Sequence, residues 1–168
     1  MCNHPVIPGQ LRTTSSLASG DPDLQVWRSI FRLTICLGRE LDHRLEREHG
    51  LPLSSLQALI CLEEQGGRMR MSDLAEAAGL SRSGLTRLAD RLETGGLLSR
   101  DRCCDDARGA FACLTETGSA RIAEARVTYR DAVSELLLAH ISPEERVVIS
   151  TALERAAGEG LGGCGCTT

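Results

Sequence analysis

Apolar residues recur at spacings of three and four along most of the chain, and glycines and prolines separate the periodic stretches. This period predicts helices with one buried face. Two short helices are expected between residues 71 and 98, the first with Ser72 as its N-cap and Gly79 just past its end. Ser81 is the expected N-cap of the second helix, whose buried stripe consists of Leu85, Leu88 and Leu92.

The face of the second helix opposite the leucine stripe is polar and basic. Guanidinium and hydroxyl groups on one exposed face suit the phosphate oxygens and base edges of DNA. The pattern therefore predicts a helix-turn-helix whose second helix reads DNA, although a plain helical hairpin would show the same two helices. The candidate DNA-binding residues of this face are Ser81, Arg82, Ser83, Gly84, Thr86, Arg87 and Arg91.

Two strand-like runs follow the second helix. They span residues 97–102 and 110–115, and the polar loop CCDDARG separates them, which predicts a β-hairpin. A basic hairpin directly after a reading helix is a wing. Arg100, Arg102 and Arg108 place cations on it, and Arg108 near the tip is suited to a narrow minor groove. The alternative is a solvated hairpin whose arginines pair with nearby aspartates.

These motifs together resemble the MarR family of winged helix-turn-helix transcriptional regulators. The similar segments are MSDLAEAAGLSRSGLTRLADRLETGGLLSR, which holds the two short helices, and DDARGAFACLTETG, which holds the wing and the start of the next helix. The resemblance covers roughly residues 21–158 and implies a dimer in which the first and last two helices of the subunits entwine. Ala107 stands where the family commonly has a second basic residue, so the grip of this wing on DNA is expected to be weaker or differently aimed.

The segments before the two short helices are predicted to be helical as well. A long helix is expected from Asp21 to about Gly50, opened by an acid, a proline and a second acid. Another helix is expected from Leu53 to Gln65, with Ser54 or Ser55 as its cap. Residues 68–71 are suited to a short strand that pairs with the wing.

The carboxyl-terminal part is also predicted to be helical. A long helix starts at Thr115 or Thr117 and runs through about His140, and a last helix begins with a capping box at Ser142. The fold class is therefore mainly α with a small β-hairpin wing, a winged helix-turn-helix plus a helical dimerisation region.

We expect one domain over residues 21–158, in which residues 53–115 form the DNA-binding lobe. Residues 21–50 and 116–158 are expected to be dimerisation helices, because they carry more apolar surface than a small domain can cover. A two-fold dimer would place two reading helices about one DNA turn apart and match a pseudo-palindromic operator. Residues 1–20 are expected to form a mobile arm, and residues 159–168 a tail rich in glycine and cysteine.

Composition restricts the classes of function. Aromatic residues make up only 2% of the 168, so leucine, isoleucine, valine and alanine must build the core. The net charge of −4 argues against indiscriminate binding to nucleic acid, and all 19 basic residues are arginine. No apolar run of about 18 residues and no signal-peptide pattern occurs, so we expect a cytosolic protein without a membrane partner.

The sequence contains no pattern typical of an enzyme. It lacks a glycine-rich phosphate loop, an HExxH motif and a serine, histidine and aspartate grouping with recognisable spacing. The histidines at 4, 43, 49 and 140 are scattered. We therefore interpret the protein as a non-enzyme, with no catalytic residue, metal site or cofactor.

Eight cysteines are many for a cytosolic protein, where disulfides are normally reduced. Cys103 and Cys104 lie in the wing loop beside Arg102 and Arg108, whose charges would lower the pKa of a thiol, whereas two neighbouring aspartates would raise it. These two cysteines are candidates for redox sensing. By contrast, the cysteines at 36 and 61 are expected to be small buried hydrophobes.

A small-molecule effector is the other route of control that the resemblance implies. Its pocket would lie between the dimerisation helices and the DNA-reading lobe, and the candidate lining residues are Trp27, Phe31, Leu59 and Tyr129. Each of these side chains is equally suited to core or interface packing.

Two functions of different classes remain. The first is a dimeric regulator that binds double-stranded DNA, a repressor by the default of the family, and that a small ligand or cysteine oxidation releases. The second is a winged-helix module that binds other proteins through its leucine-rich faces, without DNA. Salt dependence separates them, because only contacts with phosphates weaken steeply with salt.

Overall fold

The elements of the chain follow the order that the hydrophobic pattern predicts. The computed structural model describes residues 21–102 and 110–160. They form α1 (Pro22–His49), α2 (Leu53–Glu64), β1 (Arg68–Arg70), α3 (Met71–Ala77), α4 (Arg82–Thr94), β2 (Leu98–Arg102), β3 (Ala110–Leu114), α5 (Glu116–Leu136) and α6 (Pro143–Arg155). The predicted fold class, mainly α with a small β wing, is confirmed.

The chain divides into two units, residues 1–36 and 37–168, and the boundary falls within α1. In the first unit, the described residues belong to the amino-terminal half of α1, and the predicted arm at residues 1–20 lies outside the description. Trp27 and Phe31 are exposed there, with ring centroids 5.6 Å apart. Other exposed apolar side chains of this half are Leu24, Val26, Leu33 and Ile35.

The second unit contains the predicted helix-turn-helix, formed by α3 and α4. Gly79 follows α3 with φ +64°, a left-handed conformation that glycine adopts without strain, and the Leu80 N–H then donates to the Ala75 carbonyl at 2.8 Å. Ser81 caps α4 as predicted, because its hydroxyl accepts the Gly84 N–H at 3.1 Å. The leucine stripe of α4 is buried. Local sequence therefore specifies both the turn and the start of the second helix.

The predicted cap at Ser72 is wrong. α3 begins at Met71, so its N-cap is Arg70, two residues earlier than predicted, and the Arg70 side chain does not cap the helix. Because β1 already brings extended backbone to Arg70, Ser72 falls within the first turn of the helix. Its hydroxyl donates to the Asp73 carboxylate at 2.8 Å instead of accepting a backbone N–H.

The predicted serine cap of α2 is also wrong. The Leu53 N–H donates to Oδ1 of Asp42, a residue of α1, at 2.8 Å. Ser55 is buried, and no side chain of the helix itself caps the first turn. An acid from the preceding helix thus satisfies one of the free N–H groups that Ser54 or Ser55 was expected to bind.

The three strands form an antiparallel sheet in the order β1-β3-β2. β2 and β3 are the predicted wing hairpin, and β1 pairs with β3, as expected for residues 68–71. Ala112 in β3 is fully buried and lies between Met69 and Arg100 in the two neighbouring strands. Since side chains alternate between the faces of a sheet, these three residues share the inner face, and Arg68, Arg70 and their partners share the outer one.

Leucine dominates the core, as the shortage of aromatic residues predicts. Burying each such side chain fully contributes about 1.5–3 kcal/mol. The core brings the carboxyl-terminal half of α1, the helices α2, α3, α4 and α5 and the inner face of the sheet into one cluster. Its largest fully buried side chains are Leu45, Leu56, Leu59, Leu62, Leu74, Leu85 and Ile122.

The start of α5 is fixed to the end of α4 by a compact junction. The Thr115 hydroxyl accepts the Gly118 N–H at 2.9 Å, which caps α5, and donates to the Gly96 carbonyl at 2.7 Å. Gly118 is buried, and a Cβ atom there would overlap the carbonyl oxygen of Leu97 and press on Leu114. We call Thr115, Gly118, Gly96 and Leu97 the α4–α5 junction.

Ion pairs join the carboxyl-terminal half of α1 to α5. The Arg44 guanidinium donates to both carboxylate oxygens of Glu135, at 2.8 and 3.2 Å, and its Nε donates to Glu40. The paired arginine lowers the pKa of Glu135 below its ordinary value. Because these groups are accessible to solvent, the pairs orient the two helices more than they stabilise them.

α5 ends earlier than predicted, whereas α6 begins as predicted. α5 stops at Leu136 and a short 3₁₀ turn, Leu138–His140, follows, so His140 is not part of the long helix. The capping box of α6 is confirmed, because Ser142 accepts the Glu145 N–H and the Glu145 carboxylate accepts the Ser142 N–H.

α6 packs none of its side chains into the core of the single chain. No residue of this helix is buried, and its exposed large apolar side chains are Val147, Val148, Ile149 and Leu153. The surplus apolar surface that the pattern predicts for residues 116–158 is therefore present on α6, where nothing in the single chain covers it. Within residues 21–102 and 110–160, no helix has the length and apolarity needed to cross a membrane.

Replacing Gly118 with alanine is expected to lower the free energy of unfolding by about 1–3 kcal/mol, the usual cost of overpacking. The added methyl group has no space beside the Leu97 carbonyl. Urea unfolding followed by circular dichroism measures the change. Gly38→Ala is the matched control, since nothing lies within 4 Å of a Cβ at that helical position. If Gly118→Ala unfolds at the same urea concentration as the wild type, the close approach at the junction is not real.

Candidate nucleic-acid interface

α4 buries one face and exposes a basic one. Arg82, Arg87 and Arg91 are exposed, and within the described part of the chain no carboxylate forms an ion pair with them. Their guanidinium donors are thus available to an anion, and a planar guanidinium matches two phosphate oxygens at once. Behind them, the helix rests on Leu85, Leu88, Ala89 and Leu92.

The small polar residues of the same face are bonded to α4 itself. The hydroxyl oxygens of Ser81 and Ser83 lie 3.3 Å apart, and the Thr86 hydroxyl donates to the Arg82 carbonyl at 2.9 Å. A Cβ at Gly84 would lie 3.1 Å from the Ser81 hydroxyl oxygen, so glycine suits this first turn. These residues shape the start of the helix, and the arginines provide the long cationic side chains.

Arg100 contacts α4 rather than extending the basic surface of the wing. Its Nη1 lies 2.7 Å from Oδ1 of Asp90, and its Nη2 donates to the Thr86 carbonyl at 3.1 Å. Its backbone N–H donates to the Glu93 carboxylate at 3.2 Å. The Arg100 side chain is only 25% exposed, so its charge requires these partners. The interpretation of Arg100 as a wing cation is corrected here, because Arg100 fixes β2 to α4.

The tip of the wing lies outside the described residues. This applies to the predicted minor-groove residue Arg108 and to the candidate redox residues Cys103 and Cys104. The backbone of Arg102 ends β2, but its side chain is likewise outside the description. The roles assigned to these four residues stay predictions.

The outer face of the sheet carries two cations that the sequence interpretation had not assigned to a site. The guanidinium carbons of Arg68 and Arg70 lie 3.9 and 5.1 Å from the centroid of the Phe111 ring, distances typical of cation–π contacts. The alternation of arginine and methionine in β1 was the signal, since it places both arginines on the face opposite Met69.

The described cysteines have different environments, and one differs from its predicted environment. Burial raises the pKa of the Cys113 thiol, the Asp101 carboxylate that accepts its S–H raises it further, and the Arg68 guanidinium opposes both. Cys61 is partly buried against the core, as predicted. Cys36 is exposed, so its prediction as a buried hydrophobe is wrong. It lies in the uncovered half of α1, where helical periodicity continues without a core behind it.

The four candidate residues of an effector pocket have different environments. Trp27 and Phe31 are exposed in the first unit. In the second unit, Leu59 is fully buried in the leucine core and Tyr129 is partly buried against it. Leu59 therefore acts as a core residue, and the pocket itself stays a prediction.

The described histidines form no metal-binding group. Across residues 21–102 and 110–160, no three His, Cys, Asp or Glu side chains are arranged to hold a metal ion. His49 instead lies with its Nε2 2.8 Å from the Thr128 hydroxyl, which donates to Glu48. This histidine joins the end of α1 to α5.

Comparison with protein families and solved structures gives a consistent result. The model of the MarR family matches residues 51–109, which begin just before α2 and end just before β3. The chain is 31% identical to AbsC, a MarR family transcriptional regulator from Streptomyces coelicolor. That alignment covers 85% of this chain and 97% of AbsC, with a TM-score of 0.75.

Two further structures share the fold. Sco3205, a MarR family transcriptional regulator from Streptomyces coelicolor solved in complex with DNA, is 32% identical, with a TM-score of 0.73 over 80% of this chain and 84% of Sco3205. BpsR from Bordetella bronchiseptica, whose DNA binding is regulated by 6-hydroxynicotinic acid, is 21% identical, with a TM-score of 0.70 over 79% of this chain and 98% of BpsR.

Arg100→Ala is expected to lower the free energy of unfolding by about 1–2 kcal/mol, because it removes charge-assisted bonds between β2 and α4. Thermal unfolding followed by circular dichroism measures the loss. Arg91→Ala is the matched control on the exposed face of α4, and its effect is expected to stay within about 0.5 kcal/mol. Equal melting temperatures for the two variants would show that Arg100 does not hold the wing to α4.

Proposed function

The chain belongs to the MarR family of transcriptional regulators, and we propose that it acts as a homodimeric repressor that binds a pseudo-palindromic operator. Sco3205, which is 32% identical to this chain, has a winged helix of the same kind and was solved in complex with DNA. The observation that carries the proposal is the face of α4 with three exposed arginines over a buried leucine stripe.

In this proposal α4 enters the major groove, where arginine pairs with guanine and with phosphate oxygens. Arg87 lies near the middle of α4, so we assign it to base edges. Arg82 and Arg91 lie nearer the ends of α4, and we assign them to the backbone on either side. The predicted contacts of Arg102 and Arg108 would add the minor groove.

Dimerisation is proposed from the uncovered apolar faces. Val147 and Val148 on α6 are 65% and 69% exposed, and the first unit leaves Trp27 60% exposed. Uncovered apolar side chains on each of these helices are typical of an interface between subunits. A two-fold partner would cover such faces and would also set the distance between the two reading helices.

Control of DNA binding is proposed to come from a small ligand or from oxidation of wing thiols. BpsR offers the precedent of a small aromatic effector on this fold. For the thiol route, Cys113 is a poor candidate because its pKa is raised, so Cys103 and Cys104 remain the candidates. Either signal would act by favouring one spacing of the two reading helices over another.

Arg87→Ala is expected to weaken operator binding by at least about thirtyfold, because a bidentate base contact contributes about 1–3 kcal/mol and a two-fold dimer loses two such contacts. The wild type is first used to retain fragments from a pool of genomic DNA. The duplex so recovered, labelled with fluorescein, is then titrated by fluorescence anisotropy at several salt concentrations. An organic peroxide followed by a reductant tests the thiol route in the same titration.

Arg130→Ala is the matched control, since Arg130 is an exposed arginine of α5 that pairs with its neighbour Asp131. This variant is expected to bind as the wild type does. If the wild type retains no fragment from the pool, the proposed function is wrong and the alternative of a protein-binding module is favoured. If Arg87→Ala binds normally, α4 does not read the DNA as assigned.

Val148→Glu is expected to convert the dimer to a monomer, because it places a charge in the proposed apolar interface. Light scattering coupled to size exclusion measures the mass, and circular dichroism checks that the helices persist. Ser150→Glu is the matched control, because it adds the same charge on a different side of α6. This variant is expected to remain a dimer. A wild type that is monomeric, or a Val148→Glu dimer as stable as the wild type, contradicts the proposed interface.

A further inference from the structure

We propose that Arg70 is a further contact to the DNA backbone, made from β1 rather than from the reading helix, and that Phe111 positions it. The inference rests on the proposed DNA binding and adds a residue that the helix-turn-helix and wing-tip assignments do not include. It concerns a phosphate group of the operator beside the start of α4.

A cleft of about 360 Å³ connects Arg70 to the basic face of α4. The cleft lies where the end of β1, the starts of α3 and α4 and the root of the wing meet. Arg70, Ser72, Arg82 and Thr86 are among the residues that line it, together with Ala110 at the wing root. Arg70 is thus continuous with the surface already assigned to DNA, although it is twelve positions away from Arg82 in sequence.

The chemistry of this cleft suits a phosphate. Of the described residues that line it, two are arginines and none is acidic. Both guanidinium groups can donate to non-ester phosphate oxygens, and arginine provides two parallel donors for such an anion. Ser72 also lines the cleft, and its hydroxyl donates to Asp73. The two arginines are the cationic residues of the lining, and we assign the phosphate to them.

The aromatic ring of Phe111 restricts the position of Arg70. The two residues are paired across β1 and β3, and the guanidinium carbon lies 5.1 Å from the ring centroid. A guanidinium held over an aromatic ring is already restricted, so it loses less conformational freedom on binding an anion than an unrestricted guanidinium does. Phe111 is therefore a positioning residue that reaches DNA only through Arg70.

Arg68 provides a matched control within the same strand. It lies over the same ring, with its guanidinium carbon 3.9 Å from the centroid, and it is exposed like Arg70. It is paired with Cys113 rather than Phe111 and is not among the residues that line the cleft. A general effect of positive charge near DNA would involve both arginines, whereas a specific phosphate contact involves only Arg70.

The test is the salt dependence of operator binding, measured with the duplex that the wild type recovers from genomic DNA. Each phosphate contact contributes about 0.9 to the slope of log K against log salt, so Arg70→Ala is expected to reduce the slope by about 1.8 in a two-fold dimer. The Kd is expected to rise about tenfold or more. Arg70→Lys is expected to keep the slope, and Phe111→Leu to weaken binding by a smaller factor.

Ethylation interference provides a second measurement that does not depend on affinity alone. One phosphate in each half-site is expected to block binding of the wild type when ethylated, and to have no effect on Arg70→Gln. Circular dichroism of each variant confirms that the fold persists.

The outcomes separate this inference from the function on which it rests. An unchanged slope for Arg70→Ala, or a slope reduced equally by Arg68→Ala, overturns the role of Arg70 and leaves operator binding in place. A wild type that retains no DNA overturns both. A reduced slope for Arg70→Ala with normal Arg68→Ala, and loss of one ethylation position, supports the contact.

Discussion

The hydroxyl of Thr115 joins the end of α4 to the start of α5, and the rest of the architecture depends on this junction. It accepts the Gly118 N–H, one of the free N–H groups in the first turn of α5, and donates to the Gly96 carbonyl just past the end of α4. The absent side chain of Gly118 lets the Leu97 backbone approach α5 directly. Because the backbones of the α4–α5 junction pack so closely, we expect a displacement of α5 to move α4 with it. Any change in the spacing of proposed subunits would therefore move the reading helices as well.

Arginine has two distinct roles in this protein, and the surrounding acids decide which one applies. Arg100 and Arg44 have carboxylate partners and join elements of the fold. On α4, Arg87 and Arg91 have no such partner among the described residues and stay directed to solvent. The net charge of −4 is thus compatible with DNA binding, because pairing removes part of the positive charge and leaves the rest concentrated on one face.

Sequence patterns predicted those features that depend on nearby residues. The Ser81 cap, the buried stripe of α4 and the hairpin are encoded within a few positions, and all three are present. The predictions that failed concern residues whose partners are distant in sequence. Asp42 replaces the serine caps of α2, and Arg100 turns toward acids of α4. Within the candidate site, the same limit explains why Arg70 was missed, since only the sheet places it beside Arg82.

The fixed position of Arg100 has a consequence for how such a regulator can diversify. Because β2 is bonded to α4 at the base of the wing, substitutions or insertions between β2 and β3 need not disturb α4. In the proposed complex, evolution can then alter the preference for flanking A·T-rich sequence independently of the preference for the central bases. Paralogues that arise by gene duplication could acquire separate operators through loop changes alone, while retaining an unchanged core.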